Sequence, residues 1–312
     1  MGKYIVTKGQ SLFDVALHLS GSIEGIVDLL INNEKLSLDT KLKSGDELIY
    51  TDDFTINTDI IAYNNNYQII PANGEKNVYY KSIKSSKLLE IVCHQDATEM
   101  HFEISGNGTL DIDWDDNSPV TTIQLSNKLE KVLHYFDNQS YLKRKIKLHG
   151  NINIKQLNLE GMILEAIYLL CPLQIEKFNL DKTNISSIDF VQLFFGVYQI
   201  NITNNTLSKL LPLAYNKNLM SLSLKNSRVS QEMIDKYLIH IVEHYEDRRN
   251  CTVTLPIPPS GVYQEPGKNE NGNYIIASGF EAMWIITHEP AWNNDSWKFI
   301  INDQEYMYEP NN

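Results

Sequence analysis

The stretch Ile154-Lys155-Gln156-Leu157-Asn158-Leu159 returns down the chain as a spacing rather than as a word. Its apolar places recur as Ile175, Phe178 and Leu180, as Val197, Ile200 and Ile202, and as Leu219, Leu222 and Leu224, in steps of 21, 22 and 22 residues. Five residues beyond each unit stands one more apolar side chain: Leu164, Ile185, Leu207 and Val229. A fixed period of this length marks a repeat architecture. One unit cannot bury its own apolar face, and stacked neighbours can. About three units suffice for that, and four are counted here. The places between the apolar ones hold Gln156 and Asn158, Lys177 and Asn179, Gln199 and Asn201, and Ser221 and Ser223. A polar ladder of this kind suits contact with a protein or a glycan. It equally suits strand positions that only face solvent.

This pattern resembles the leucine-rich repeat, Leu-x-x-Leu-x-Leu-x-x-Asn-x-Leu. The Asn place is filled by Met162, Thr183, Asn205 and Ser227, so only one unit keeps the family's hydrogen-bonding side chain. The resemblance implies a short solenoid over 151–255. After the fourth unit, Gln231 to about Asp247 reads as a helix with Met233, Tyr237, Ile241 and Tyr245 on its buried stripe. Within it, His240-Ile241-Val242-Glu243-His244 fits the inverted zinc-protease string, with the histidines as ligands, Glu243 activating water and a third ligand from Glu281 or Glu289. Lys236, Asp247 and Arg248 share that side of the helix, which reads as a solvent face. No metal and no cofactor are expected.

Upstream, alternating segments at Leu88–Cys93, Met100–Ile104, Thr109–Trp114, Thr121–Leu125 and Lys143–Leu148 predict a β-sandwich over 86–150. Gly106-Asn107-Gly108 and Asp115-Asp116-Asn117 read as its hairpin turns. Asp111-Ile112-Asp113-Trp114-Asp115-Asp116-Asn117-Ser118 resembles the Ile-Asp-Trp-Gly-Asp-Gly-Ser hairpin of PKD-like domains, with His134-Tyr135-Phe136 near that family's His-x-Tyr. Asp115 and Asn117 stand where the family has Gly. The four acids at 111–116 offer the hard oxygen donors that calcium takes, but acids crowding a turn are also ordinary solvated groups.

The first fifty residues predict strand, helix, helix, strand. Ser11 is an N-cap with Asp14 three residues on. Tyr4-Ile5-Val6, Gly9-Gln10-Ser11-Leu12, Asn33 and Leu42-Lys43-Ser44-Gly45-Asp46-Glu47-Leu48 together resemble the LysM family over 1–51. The form Gly-Gln-Ser-Leu-Phe-Asp-Val-Ala is similar to modules in tail proteins of bacteriophages and prophages of Bacteroidetes-type bacteria. The resemblance implies a glycan groove for N-acetylglucosamine polymers such as peptidoglycan, at Gly9, Gln10, Ser11, Leu12, Asn32 and Asn33. Each of these residues also has a purely structural use as turn, cap or core.

Residues 52–85 read as a linker, with Asn64-Asn65-Asn66 and Pro71-Ala72-Asn73-Gly74 as loop chemistry. Pro256-Ile257-Pro258-Pro259 reads as a second, stiff linker. Beyond it, a small β-hairpin domain is expected over 256–312, with Tyr274–Ala277 and Ala282–Thr287 as strands. Trp284, Trp292 and Trp297 are its candidate contact aromatics.

The whole is expected to be a multidomain α+β chain of four beads. With 27 Lys and Arg against 39 Asp and Glu, its net charge of −12 argues against a nucleic-acid partner. No apolar run is long enough to span a membrane. Met1-Gly2-Lys3-Tyr4 does not open a secretory signal. Cys93, Cys171 and Cys251 form no paired motif, and no nucleophile constellation is present. The expectation is a non-enzymatic structural or adaptor protein of a phage or prophage tail. It would assemble in the cytoplasm with other tail proteins, as a homo-oligomer by analogy with such assemblies. The alternative is a bacterial cell-surface protein that binds glycan or protein.

Overall fold

The computed structural model describes residues 1–72, 81–94, 96–116, 118–136, 143–292 and 297–308. Asn73, Gly74 and Asn117 of the expected turns lie outside the described residues. Among those described, no helix is long and apolar enough to cross a membrane. Over those described residues the protein is mixed α/β, with five α-helices, a small two-stranded sheet and one large mixed sheet.

The first unit is β1 (Gly2–Ile5), α1 (Leu12–Ser20), α2 (Ile26–Asn32) and β2 (Glu47–Tyr50). The strands pair antiparallel, Tyr4 opposite Leu48. Ser11 and Asp14 close a full capping box at the start of α1. Gly21 ends that helix at φ 74°, and a Cβ there would lie 2.0 Å from the Asn57 carbonyl oxygen. Tyr4, Val6, Leu12, Val15, Ala16, Ile26, Leu29 and Leu48 form a core of their own.

The expected linker over 52–85 contains a helix, α3 (Thr58–Asn66). Asn57 caps it, its Oδ1 accepting from the Asp59 and Ile60 amides. The Ile56 and Asn57 amides donate to the Ser20 carbonyl, which ties the segment back onto the first unit. An Asn-rich run reads as loop because Asn is a poor helix former, but a single good cap and tertiary contact override that weak preference.

A second, continuous core runs from Leu88 to Ile301. Its antiparallel part is β3 (Lys87–Cys93), β4 (Glu99–Asp113), β5 (Thr121–Leu125), β6 (Glu130–Tyr135), β7 (Lys145–Asn158) and β8 (Leu164–Leu169). Its parallel part is β9 (Leu173–Asn179), the short β10 (Phe194–Phe195), β11 (Gln199–Asn201), β12 (Ser221–Ser223), β13 (Thr252–Leu255) and β14 (Lys298–Ile301). Then β15 (Gln304–Met307) folds back antiparallel on β14 and closes the edge. The path is β15-β14-β13-β12-β11-β9-β7-β3-β8, with β4 beside β7 and β10 beside β9.

Three expectations change here. No break falls at residue 150, because β7 runs through it. Its first half pairs with β3, Ile146 opposite Ile91, and its second half pairs in parallel with β9, Leu157 opposite Phe178. Period-two burial continues through Gly150, so antiparallel region and repeat share one sheet. Gly106-Asn107-Gly108 is not a turn. It lies inside β4 at a bulge, where the strand changes outer partner from β6 to β5. A Cβ on Gly106 would sit 2.2 Å from the Asn153 carbonyl oxygen, so close strand approach, and not chain reversal, requires the glycine.

The carboxyl end, finally, is not a separate hairpin domain. Residues 282–287 belong to α5 (Gly279–His288), packed beside α4 (Gln231–Glu243). The cue is Ser278-x-x-Glu281: the serine Oγ accepts the Glu281 amide, and the glutamate accepts the Ala277 amide. Strands β13 and β14 continue the repeat, Leu222 opposite Val253 and Val253 opposite Phe299. The period hides them because α4 and α5 lengthen the connections.

Candidate interaction face

Six parallel segments place their central apolar residues in one buried column: Leu157, Phe178, Ile200, Leu222, Val253 and Phe299. The residues either side of that column therefore share the opposite, open face. One file is Gln156, Lys177, Gln199, Ser221, Thr252 and Lys298. The other is Asn158, Asn179, Asn201, Ser223, Thr254 and Ile300. The sequence-derived face residues Gln156, Asn158, Lys177, Asn179, Gln199 and Asn201 are thus brought together. All but Asn158 line a shallow groove of about 260 Å³ with Ser221 and Ser223. Thr252, Thr254 and Lys298 extend the face and were hidden by the same long connections.

The asparagines are linked to one another. Asn201 Nδ2 donates to Asn179 Oδ1 and Asn179 Nδ2 to Asn158 Oδ1, both at 2.6 Å. Asn158 Nδ2 then donates to a Glu103 carboxylate oxygen on β4 at 3.0 Å. Each amide orients the next, and Glu103 fixes the direction of the row.

A second polar row runs beneath the parallel strands, at the place where the repeat pattern of the sequence has Asn. Thr183, Asn205 and Ser227 are all buried. Asn205 Oδ1 accepts from the Thr183 amide and hydroxyl, and the Asn205 amide donates to Ser227 Oγ. A ladder built of Thr, Asn and Ser therefore stands where one of Asn was not expected. The fourth place, Met162, is apolar core. Each turn after a strand passes through the left-handed region, at Gly161, Lys182, Asn204 and Asn226 with φ of 76°, 54°, 55° and 59°.

The candidate glycan residues of the first unit are engaged within the fold. Gln10 is buried; its Oε1 accepts from Tyr4 Oη and the Thr7 amide, and its Nε2 donates to the Pro71 carbonyl. Ser11 is the cap and Leu12 is core. Gly9 supplies a turn at φ 84°. Asn32 Nδ2 donates to the Asp28 carbonyl and carboxylate. Asn33 bridges α2 to β2, donating to the Leu29 and Ile49 carbonyls and accepting the Ile49 amide.

At the acidic turn each carboxylate has a protein partner. Asp111 accepts from Ser85 and Thr122, and Asp115 from the Lys145 amide. Asp116 accepts from Ser118 and lies 2.8 Å from His134 Nε2, whose ring stacks on Trp114. Asp113 pairs with Lys81 at 2.6 Å and Lys147 at 3.2 Å. Burial raises the Asp113 carboxyl, and those ammonium groups and the Asp115 amide outweigh it, so the group is held below its ordinary value.

Asp113 has a pH consequence. A depressed carboxyl stabilises the fold above the unfolded value of about 3.9, and that contribution is lost as pH falls through the lower folded value. Asp113→Asn is expected to lower stability by about 1–2 kcal/mol at pH 7 and to flatten the acid limb below about pH 4. Urea midpoints from pH 2.5 to 7 measure it. An unchanged acid limb would assign the limb to other groups.

The tryptophans are not one platform. Trp297 is 2 % exposed, and its Nε1 donates to Tyr245 Oη at 2.8 Å. Trp292 stacks on Tyr245 with centroids 3.9 Å apart and borders a cleft of about 660 Å³ that also includes Arg248 and Arg249. Trp284 stands apart on α5, stacked on His288 at 4.2 Å and edge-on to Tyr274. The cysteines are all free thiols. Burial pushes Cys93 and Cys251 up to about 12, against the fields of Arg144 and Arg248, so both stay protonated at neutral pH. No family model matches this chain, and no curated protein or solved structure is significantly similar to it.

Proposed function

We infer that this protein is a non-enzymatic structural or adaptor component of a phage or prophage tail, engaging its partner through the open face of the parallel sheet. The observation that carries the adaptor reading is the linked row Asn201–Asn179–Asn158–Glu103 beside the Gln156–Lys177–Gln199 file. Side chains already held in place lose little rotamer freedom on contact, which favours recognition. The tail setting rests on the resemblance of the first fifty residues. Their candidate glycan groups already serve the fold, so the reading gives that unit a docking role rather than peptidoglycan capture.

The test is mass spectrometry of density-purified particles from prophage-induced cells of the source organism, compared with the cell-envelope fraction. The wild-type chain is expected in the particles. A double variant, Asn179→Arg with Gln199→Arg, is expected to fold yet fall at least about tenfold in particle content, the loss typical of a disrupted contact centre. Enrichment of the wild-type chain in the envelope instead would overturn the tail reading and favour a surface binder.

A further inference from the structure

The last turns of α4 carry a group of side chains that neither the sheet face nor the core uses. His240, Glu243 and His244 offer one ligand atom each, and these atoms lie within 4.8 Å of one another. His240 is half-buried against Tyr215, at 5.4 Å between ring centroids, while Glu243 and His244 are exposed. The spacing i, i+3, i+4 puts all three on one face of the helix. The two imidazoles lie side by side, centroids 4.2 Å apart and planes 24° from parallel.

We propose that His240, Glu243 and His244 form a surface binding site for a divalent transition-metal ion such as Zn²⁺ or Ni²⁺. The donor set decides the class. Two imidazoles and one carboxylate suit zinc, nickel and copper, whereas calcium and magnesium take oxygen ligands alone. Zinc bonds of about 2.0–2.2 Å need the donor atoms roughly 3.5 Å apart in a tetrahedral arrangement. The exposed Glu243 side chain turns about χ1 and χ2 to meet an ion held by the two imidazoles.

A second observation concerns orientation. His244 Nδ1 lies 3.3 Å from the His240 carbonyl oxygen. Donation from Nδ1 leaves the Nε2 lone pair free for a metal, the arrangement by which ligating histidines are commonly fixed. Glu243 enters no ion pair among the described residues, so its carboxylate is free to bind.

The site differs from a zinc-protease centre. Glu243 stands among the ligands and is not held back as a base. Glu281, one of the two expected third ligands, is instead engaged with the Ala277 amide as the cap of α5. Three protein donors leave a coordination position for water or for a side chain of a neighbouring molecule. The nearby Arg248 guanidinium is anchored on the Ala214 carbonyl.

The experiment is calorimetric titration of the full chain, free of any affinity tag, with ZnCl₂ and separately NiCl₂ at pH 7.5. One saturable equivalent is expected. His240→Ala and His244→Ala are each expected to weaken it by on the order of 100-fold or more, since even partners outside the ligand shell are worth ~10–100-fold. Glu243→Gln weakens it less. Metal should also raise the unfolding midpoint of wild type and leave that of His244→Ala unchanged, which separates lost binding from lost folding. No saturable binding overturns the proposal. So does a site that survives both histidine substitutions, which would lie at other side chains.

Discussion

Asn205→Ala is expected to remove about 3–5 kcal/mol from the stability of the large sheet. Asn205 is buried between successive repeat units of the parallel sheet. Its Oδ1 accepts from the Thr183 amide at 3.1 Å and the Thr183 hydroxyl at 3.0 Å. Its Nδ2 donates to the Thr203 carbonyl at 2.8 Å and to the Leu180 carbonyl. Alanine leaves the Thr183 amide and hydroxyl and the Leu180 carbonyl without these partners in a site shielded from solvent, while the Thr203 carbonyl keeps the Lys182 amide; each orphan costs about 1–3 kcal/mol before water enters and relieves part of it.

Asp at the same place keeps the acceptor, loses both donated bonds and buries a charge, so Asn205→Asp is expected to be at least as damaging. Ser227→Ala removes one bond to the Ile202 carbonyl and one from the Asn205 amide, and is expected to cost about 1–2 kcal/mol. Urea titrations followed by tryptophan fluorescence give the values. If Asn205→Ala came within 1 kcal/mol of wild type, the inner row would be decoration on an apolar stack.

That row also shows what the sequence makes legible. The period of the apolar places predicts the parallel strands over Ile154–Leu224 because each column needs like residues in like places. The same alignment marks Thr183, Asn205 and Ser227 as equivalent, but only the structure shows three chemically different groups completing one row. In the first unit, the Ser11–Asp14 box and the strand, helix, helix, strand order are local signals and are seen as expected. Where the reading goes astray, a local sign has two meanings. Glycines at 106 and 108 signal a turn or a close strand approach, and only the Asn151 and Asn153 carbonyls beside them decide. Ala282–Thr287 is apolar throughout, so it suits a strand or a buried helix, and Ser278 with Glu281 is the cue that separates them. Trp297 resembles a contact residue by type and is core by position. The open face is legible as a set of residues, whereas the links between Asn158, Asn179 and Asn201 depend on the register of strands some twenty residues apart.

Trp297→Ala is expected to cost about 3–5 kcal/mol and to free the last two strands from the sheet. Trp297 sits just before β14, stacked on Phe299 with centroids 5.9 Å apart. It is held from the other side by Tyr245, whose hydroxyl takes the indole N–H and donates to the Trp292 carbonyl at 3.2 Å. One ring thus ties the end of α4 to the strand that continues the repeat. Removing it opens a cavity of indole size and also leaves Tyr245 Oη with one partner fewer. Trp297→Phe separates these effects: it keeps most of the apolar volume and loses only the donor, at about 1 kcal/mol beyond the change in ring size. Once β14 and β15 detach, β13 becomes an unprotected edge with Thr252 and Thr254 outward, and such edges pair with other chains. Limited proteolysis of Trp297→Ala is therefore expected to cut between 256 and 278 far faster than in wild type, and the truncated body to aggregate. Trp297→Phe is expected to resist. Equal cutting rates in all three proteins would mean that α5, packed along α4, holds the carboxyl end without help from the tryptophan.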